Sequence, residues 1–391
     1  MKILDFKQHS QGYLSLGLAI IIELIYTRNE AGAVGEGIDR VYEYIQQFGE
    51  EQTLITIGSG ISAGEGIPGM GKLAEHLLVD VDQKLSNLQG LKSSDLEGWN
   101  TVKSELQKGT NLEGALSVKE VSPVVENLII QSTYSLIAAK DSEIFSQVFE
   151  NNRQLNLYRI LRQYTPINNT PLTIITTNYD CLIEYTCLSL GINVDNLFYG
   201  NYFRKFDPDL YDEQHQQLKR VKRNSIVAVK DNNYILLLKP HGSIDWFSKK
   251  GGGTYLFQHA STGTPDIITP GKNKWRNERR EPFNTVYAKC NQAIDKAAGY
   301  LLLGYGYNDA DLQDHYDHES NRIKPKLIAT MQSNRQFNLL FDKSPNCMLI
   351  VQHESGSHVR WKQEGALVCD LDLKEPIWEI DALAKYVFRQ D

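Results

Sequence analysis

Apolar runs of four to six residues recur along the chain, and most of them end at a glycine or a polar residue. Such runs predict buried strands, at Thr53–Ile57, Leu172–Thr177, Tyr234–Lys239, Tyr300–Leu303 and Cys347–Val351. The segments between several of them have apolar residues at helical spacing. Strands that alternate with helices predict a parallel sheet covered on both faces. We therefore predict an α/β fold with a Rossmann-like, doubly wound parallel sheet, in which Cys347–Val351 is the last parallel strand.

Residues 73–165 have almost no strand pattern. Helical spacing recurs in Leu112–Lys119, Val124–Ala139 and Leu155–Tyr164, and Pro123 suits the start of a helix. We predict that residues 73–165 form a helical subdomain inserted after the first strand–helix unit.

Two extensions flank the predicted core, which spans residues 51–351. We predict that residues 1–50 form an N-terminal helical extension, with helices at Leu14–Tyr26 and Gly37–Gln47. The first of these is too short to span a bilayer, so we expect no membrane association. Residues 352–391 form a C-terminal extension with a predicted strand and helix at Ala366–Leu371 and Ile380–Phe388.

The composition and charge of the chain indicate a soluble protein and argue against a nucleic-acid-binding one. Of 391 residues, 41% are hydrophobic and 23% are charged, as in soluble globular proteins. The net charge of −7 argues against a general grip on nucleic acid, so we expect at most indirect contact with it. We predict irregular chain over residues 192–233 and a long loop over residues 247–285, and we interpret their basic runs, Lys219–Arg223 and Lys272–Arg280, as charged surface. The five cysteines form no CxxC pair, which predicts reduced thiols in a cytoplasmic protein.

The stretch Thr53–Gly71 has the layout of a phosphate-binding loop. A strand runs into closely spaced small residues, and a helical pattern follows at Lys72–Val79. Backbone N–H groups in such a loop face a negative charge. The spacing Gly58-x-Gly60-x-x-Ala63 fits a dinucleotide fingerprint, although a glycine-rich turn without a ligand has the same composition.

Polar residues follow the other predicted strands. Asn178, His241 and Gly304–Gly306 each lie at the end of one, and ligands of doubly wound sheets bind at the carboxyl ends of the strands. The pattern predicts one cleft with a carboxamide, an imidazole and backbone donors. The alternatives are structural: Asn178 as a helix N-cap, Asp180 as an ordinary first-turn acid, and residues 304–309 as a turn capped by Asn308 or Asp309.

Three ordered motifs give a family resemblance. Gly66-Ile67-Pro68, Thr176-Thr177-Asn178-Tyr179-Asp180 and Pro240-His241-Gly242-Ser243 resemble the motifs of the sirtuin family. The resemblance implies an NAD-binding catalytic domain over residues 51–351, whose catalytic residues are Asn178, Asp180 and His241. The residues that we expect to bind NAD are Gly58, Ser59, Gly60, Ser62, Ala63, Ile67, Pro68, Thr177, Gly304, Gly306 and Asn308.

These residue types suit cleavage of the bond between nicotinamide and ribose. The ribose becomes oxocarbenium-like as nicotinamide leaves, as in glycoside hydrolysis. Asn178 can hold a ribose hydroxyl and the attacking water, because a carboxamide both donates and accepts hydrogen bonds. His241 can accept a proton, and Asp180 can orient the site or stabilise positive charge.

The sequence departs from sirtuin deacylases at several points. Thr177 replaces their glutamine, and Gly69-Met70-Gly71 replaces the Asp-Phe-Arg after Gly-Ile-Pro. The two CxxC pairs that hold their structural zinc are missing, so we expect no zinc. The segment Asp314–His318 has metal-ligand residue types, but we interpret it as a solvated helix face.

The motifs Thr176–Glu184 and His241–Trp246 resemble a bacterial sirtuin-like branch. That resemblance implies an antiphage defence effector that hydrolyses NAD to nicotinamide and ADP-ribose, as a large homo-oligomer that works with a HerA-like ATPase. Two other functions stay open: an NAD-dependent deacylase or ADP-ribosyltransferase, and a non-catalytic scaffold that binds NAD or ADP-ribose.

Overall fold

The computed structural model describes residues 44–45, 48, 52–164, 171–217, 234–257, 264–271, 274 and 278–386. The strands are β1 (Thr53–Ile57), β2 (Leu172–Thr176), β3 (Asn193–Asp195), β4 (Phe198–Tyr199), β5 (Arg204–Phe206), β6 (Tyr234–Leu238), β7 (Gly242–Ser248), β8 (Thr254–Leu256), β9 (Thr264–Ile267), β10 (Gly299–Leu303), β11 (Lys326–Thr330), β12 (Cys347–His353), β13 (Gly356–Gln363) and β14 (Ala366–Leu373). The helices are α1 (Ser59–Gly64), α2 (Met70–Ser86), α3 (Ser93–Gln107), α4 (Leu112–Val118), α5 (Pro123–Asn151), α6 (Leu157–Gln163), α7 (Leu182–Leu190), α8 (Pro208–Gln217), α9 (Phe283–Lys296), α10 (Ala310–Asp317), α11 (Glu319–Arg322), α12 (Arg335–Lys343) and α13 (Ile380–Tyr386).

A nine-stranded sheet organises the chain, in the order β14-β13-β12-β11-β10-β1-β2-β6-β3. Neighbouring strands from β3 to β12 are parallel, and β13 and β14 continue the sheet in antiparallel pairing. The predicted doubly wound α/β fold is confirmed. Cys347–Val351 lies in the last parallel strand, as predicted, because β12 is parallel to β11 and antiparallel to β13.

Both faces of the sheet are covered, which explains the continuous apolar runs. Along β10, Leu301 and Leu303 pack into one core, while Tyr300 and Leu302 pack into the other. Helices α6 and α7 contribute to the first core, and α9, α10 and α12 contribute to the second. Because successive side chains of a strand point to opposite faces, a strand between two helical layers has to be apolar throughout.

Helices α2 to α5 form the helical insert, which has its own core. Trp99 and Val102 from α3 pack with Leu77 from α2 and Leu128 from α5. Helix α5 begins at Pro123 after the N-cap Ser122, whose hydroxyl accepts a hydrogen bond from the N–H of Val125. The C-terminal half of α5 packs on α7, so the insert lies against the strand-bearing body.

A second sheet, of five strands in the order β4-β5-β8-β7-β9, was not expected. The sequence pattern predicts irregular chain over 192–233 and a loop over 247–285, whereas the structure places short antiparallel strands in both. Strands of two to four residues are too short for an alternating pattern to show. The apolar pattern also fails to predict β11 and β13. In β13, buried residues alternate with partly exposed ones, so the run is not continuously apolar.

Several predicted segments lie outside the described residues. These are the helix Leu14–Tyr26, most of Gly37–Gln47 and the basic run Lys219–Arg223. Tyr44, Ile45 and Phe48 are described, and all three are buried in the core that contains Leu301 and Leu303. Within the described ranges, no helix is both long enough and apolar enough to cross a membrane.

Candidate active site

A cleft lies where the carboxyl ends of β1, β2, β6 and β10 meet the helical insert. Met70, Leu73 and Ile137 line it from the insert. Ten of the predicted site residues also line this cleft, and they are Ser59, Ser62, Ile67, Pro68, Thr177, Asn178, Asp180, His241, Gly306 and Asn308. The strand order thus brings together motifs that are far apart in the chain.

Gly58, Gly60 and Gly304 lie behind the wall of this cleft, where the loops after β1 and β10 touch. The N–H of Gly58 donates to Leu303 O at 3.0 Å, and the N–H of Gly60 donates to Gly304 O at 2.9 Å. A Cβ on Gly58 would lie 2.4 Å from Tyr305 Cα, so only glycine allows this approach. These glycines hold two loops together, and their N–H groups are committed within the protein. Ala63, on α1, is also absent from the lining residues.

Asn178 follows β2 and points its carboxamide back to the first loop. Its Nδ2 donates to Gly58 O at 2.9 Å and to Ser62 Oγ at 2.7 Å. Helix α7 begins four residues later, at Leu182, and Asn178 does not cap it. Since Nδ2 faces an oxygen that can only accept, the amide orientation is set. Among the described residues, no donor reaches its Oδ1.

Asp180 completes a chain of hydrogen bonds with Asn178. Ser62 Oγ accepts from Asn178 and donates to Asp180 Oδ2 at 2.6 Å. Asp180 Oδ1 also accepts from the N–H of Leu182 at 3.4 Å, so the carboxylate acts at the start of α7 as well. The three side chains therefore form one connected polar wall of the cleft.

His241 makes a contact that the sequence analysis did not anticipate. Its Nε2 lies 2.6 Å from Oδ2 of Asp309, which follows β10. Asp309 is also the N-cap of α10, as one of the structural alternatives expected, since its Oδ1 accepts from the N–H of Leu312 at 3.2 Å. Burial alone would raise the pKa of Asp309. The pKa is instead held far below its usual range by the hydrogen bond and charge of His241 and by the charge of Lys274.

Two further groups surround this carboxylate. Lys274 Nζ donates to Asp309 Oδ2 at 3.0 Å and lies 3.2 Å from Glu278 Oε1. Burial lowers the pKa of Lys274, but Asp309 and Glu278 together raise it above its ordinary value. The hydroxyl of Tyr287 lies 3.2 Å from the same Oδ2 and 3.0 Å from Glu278 Oε1, so its one hydrogen is available to either carboxylate. Lys274 lies in the predicted loop 247–285, which thus supplies part of the cleft wall.

A buried lysine supports the catalytic segment from behind. Lys239 follows β6, and its Nζ donates to Asp180 O at 2.6 Å, to Glu184 Oε1 at 2.9 Å and to Ser243 Oγ at 2.9 Å. Asp141 of α5 accepts from the N–H of Cys181 at 2.8 Å. The backbone after β2 is therefore held by two charged groups from elsewhere in the chain, Lys239 after β6 and Asp141 of α5.

No group of three or more His, Cys, Asp and Glu side chains among the described residues is arranged to hold a metal ion. In the segment Asp314–His318, Tyr316 is buried in the core and His315 lies 3.8 Å from Asp295. All five cysteines fall in the described ranges and are unpaired.

One family model matches part of the chain, and solved structures are similar to it. A family model described as a SIR2-like domain matches residues 172–350. No curated protein sequence matches the chain. Three solved structures are similar to this chain, each with 10% sequence identity over 90% of its length. The first concerns the mechanism and regulation of Sir2 enzymes, with 98% of that chain covered and a TM-score of 0.39. The second is a Sir2 variant with a deacetylated p53 peptide and 3′-O-acetyl ADP ribose (97% of that chain covered, TM-score 0.39), and the third concerns sirtuin substrate affinity (97% of that chain covered, TM-score 0.38).

Proposed function

We propose that this protein hydrolyses NAD at the nicotinamide–ribose bond and releases nicotinamide and ADP-ribose. The observation that carries the proposal is that Asn178 and His241 line one cleft at the carboxyl edge of a doubly wound sheet. The SIR2-like match over residues 172–350 supports NAD as the substrate, because it covers both side chains.

The reaction uses the cleft as follows. Nicotinamide leaves with the electrons of its bond to C1′, and the ribose becomes oxocarbenium-like. The Oδ1 atom of Asn178 accepts a hydrogen bond from the attacking water or from a ribose hydroxyl, while its Nδ2 stays bound to Gly58 O and Ser62 Oγ. A fixed dipole of this kind is worth more in a cleft than in water, because it does not have to reorient.

His241 is the proton acceptor in this scheme. As the water oxygen forms its bond to C1′, the water gives up one proton to the imidazole, which passes it to solvent. The carboxylate of Asp180, which is held by a hydrogen bond from Ser62, supplies negative charge near the developing cation. Ile67, Leu73 and Ile137 line the same cleft and limit the entry of other water molecules.

The resemblance to the bacterial antiphage branch extends the proposal to a biological role. In that role the protein depletes cellular NAD on infection, as a large homo-oligomer working with a HerA-like ATPase. Zinc has no part in the scheme.

Chromatography of NAD incubated with the purified protein tests the proposal. We expect stoichiometric nicotinamide and ADP-ribose, and their loss in Asn178→Ala and His241→Ala. His353→Ala is the matched control, because this histidine is about half exposed on β12, and it should turn over NAD at the parent rate. Circular dichroism should show that all three variants keep the fold.

The assay is run with and without the product of the neighbouring gene, since such effectors can be held inactive until triggered. Nicotinamide that appears only with an acyl-lysine peptide would instead indicate a deacylase. Calorimetric binding of NAD without turnover under every condition would indicate a scaffold. Turnover at the parent rate in Asn178→Ala or His241→Ala would contradict the site assignment.

A further inference from the structure

We propose that Asp309 is the positioning residue for His241, and that it fixes the proton on Nε2 so that Nδ1 is the nitrogen which accepts the proton. The catalytic part of this inference rests on the proposed function. Its geometric part, the tautomer of His241, stands on the contact alone.

The contact determines which nitrogen is free. Nε2 of His241 lies 2.6 Å from Asp309 Oδ2, and the Asp309 side chain is only 3% exposed. An ionised carboxylate can only accept hydrogen bonds, so Nε2 has to carry a hydrogen in the neutral ring. The lone pair then lies on Nδ1, and no described residue donates a hydrogen bond to that atom.

Both partners are fixed in place. Asp309 accepts from Leu312 N through Oδ1 and from Lys274 through Oδ2, and the Tyr287 hydroxyl lies 3.2 Å from Oδ2. The His241 backbone carbonyl accepts from the N–H of Ile268 at 2.9 Å, which ties the residue to the chain after β9. The ring of Tyr287 lies beside the His241 ring, 6.3 Å away centroid to centroid.

The charges around the pair keep Asp309 ionised. Lys274 is the cation that faces the carboxylate, and it also contacts Glu278 at 3.2 Å and Asp311 at 3.9 Å. Burial raises the pKa of Glu278, while Lys274 acts in the opposite direction. Beside a neutral His241 ring, Asp309 stays an anion because the hydrogen bond from His241 and the charge and hydrogen bond of Lys274 lower its pKa. It therefore cannot donate a hydrogen bond to Nε2 at neutral pH.

This arrangement assigns the proton path. The bond from water oxygen to C1′ forms as the C1′–nicotinamide bond breaks, and the bond electrons leave with nicotinamide. One proton of the water moves to Nδ1 of His241. The imidazolium that results is stabilised by Asp309 through Nε2–H, as in other histidine–aspartate pairs.

Asp309→Asn is the first test, since asparagine is an equally good N-cap and should preserve α10. We expect kcat for NAD hydrolysis to fall by about 100-fold or more, with KM changed by less than about threefold, because the lost interaction acts on proton transfer. The matched control is Asp314→Asn, an exposed acid on the same helix, which should keep the parent kcat. The catalytic part of the inference would be overturned if Asp309→Asn kept the parent kcat. It would also be overturned if the variant lost activity only through a higher KM.

The second test does not need turnover. Solid-state ¹⁵N spectra of histidine-labelled protein at alkaline pH report which ring nitrogen is protonated, and His241→Gln assigns the signal among the nine histidines. We expect Nε2–H in the parent and loss of this preference in Asp309→Asn. A parent protein with hydrogen on Nδ1 would overturn the proposal. The Nε2–H form in a protein that never hydrolyses NAD would support the geometric part while the proposed function fails.

Discussion

The ammonium group of Lys239 lies 2.9 Å from Oε1 of Glu184, and the lysine side chain has no exposed surface. Its other hydrogen bonds go to the backbone oxygen of Asp180 and to the hydroxyl of Ser243. This ion pair connects the segment after β6, which carries His241, to the segment after β2, which carries Asn178. It is the internal support of the proposed active site.

We predict that Lys239→Met is strongly destabilising. It leaves the carboxylate of Glu184 buried without its cation, and removal of one partner from a buried pair costs roughly 3–5 kcal/mol. Urea unfolding followed by circular dichroism measures the change. The double variant Lys239→Met with Glu184→Leu should recover at least half of the loss, because the side chain at position 184 no longer carries a charge that needs the lysine. A single variant within about 1 kcal/mol of the parent would contradict this account.

The stability of the protein should depend on pH through Asp141. Burial raises the pKa of this carboxyl from 3.8 to about 6, partly offset by its bonds from Cys181 and Tyr185. The folded state therefore binds the proton more tightly than the unfolded state. The contribution of Asp141 is most favourable below about pH 4 and is lost as the pH rises to about 6.

Asp141→Asn removes this dependence, because the amide cannot ionise. We expect the variant to be more stable than the parent at pH 7.5, by up to about 3 kcal/mol, and the difference to shrink as the pH approaches 4. Urea unfolding at both pH values measures it. Glu143→Gln, on an exposed position of the same helix, is the control and should show no such trend. A variant less stable than the parent at pH 7.5 would contradict the prediction.

Two glycines in the same stretch should respond to alanine in opposite ways. In Gly58→Ala the Cβ would meet Tyr305 Cα at 2.4 Å and Gly304 O at 2.7 Å, and both are backbone atoms that cannot turn away. We expect a loss of about 1–3 kcal/mol, or more if the loops cannot separate. Gly71, in α2, has nothing within 4 Å of an added Cβ. Gly71→Ala should therefore stabilise the protein by up to about 1 kcal/mol.

Thermal unfolding of the two variants beside the parent checks both signs. An NAD-turnover assay on Gly58→Ala adds a second measurement, because displacement of the first loop would move Ser62 away from Asn178. Equal melting temperatures for Gly58→Ala and the parent would show that the two loops are not in contact as described.

The main sheet was largely predictable because its strands are buried on both faces. Continuous, mostly apolar runs form the strands Thr53–Ile57, Leu172–Thr176 and Gly299–Leu303. Such runs can be recognised in the sequence even when the neighbouring strands are unknown. The second sheet was not predictable. Its strands β4, β5 and β8 have two or three residues each and are held by pairing with distant segments.

The candidate site was likewise predictable only in part. The sequence by itself determined the motifs that contain Asn178 and His241, because each lies shortly after an apolar strand and both features are visible in the local sequence. Only the tertiary structure decided that Asp309 meets His241, 68 residues away in the chain. The strands that carry them, β6 and β10, are separated by β1 and β2 in the sheet. A contact between loops that cross two intervening strands depends on the order of the strands in the sheet. It also depends on where the loops fold over the carboxyl edge of the sheet. A local pattern of apolar residues predicts neither of these.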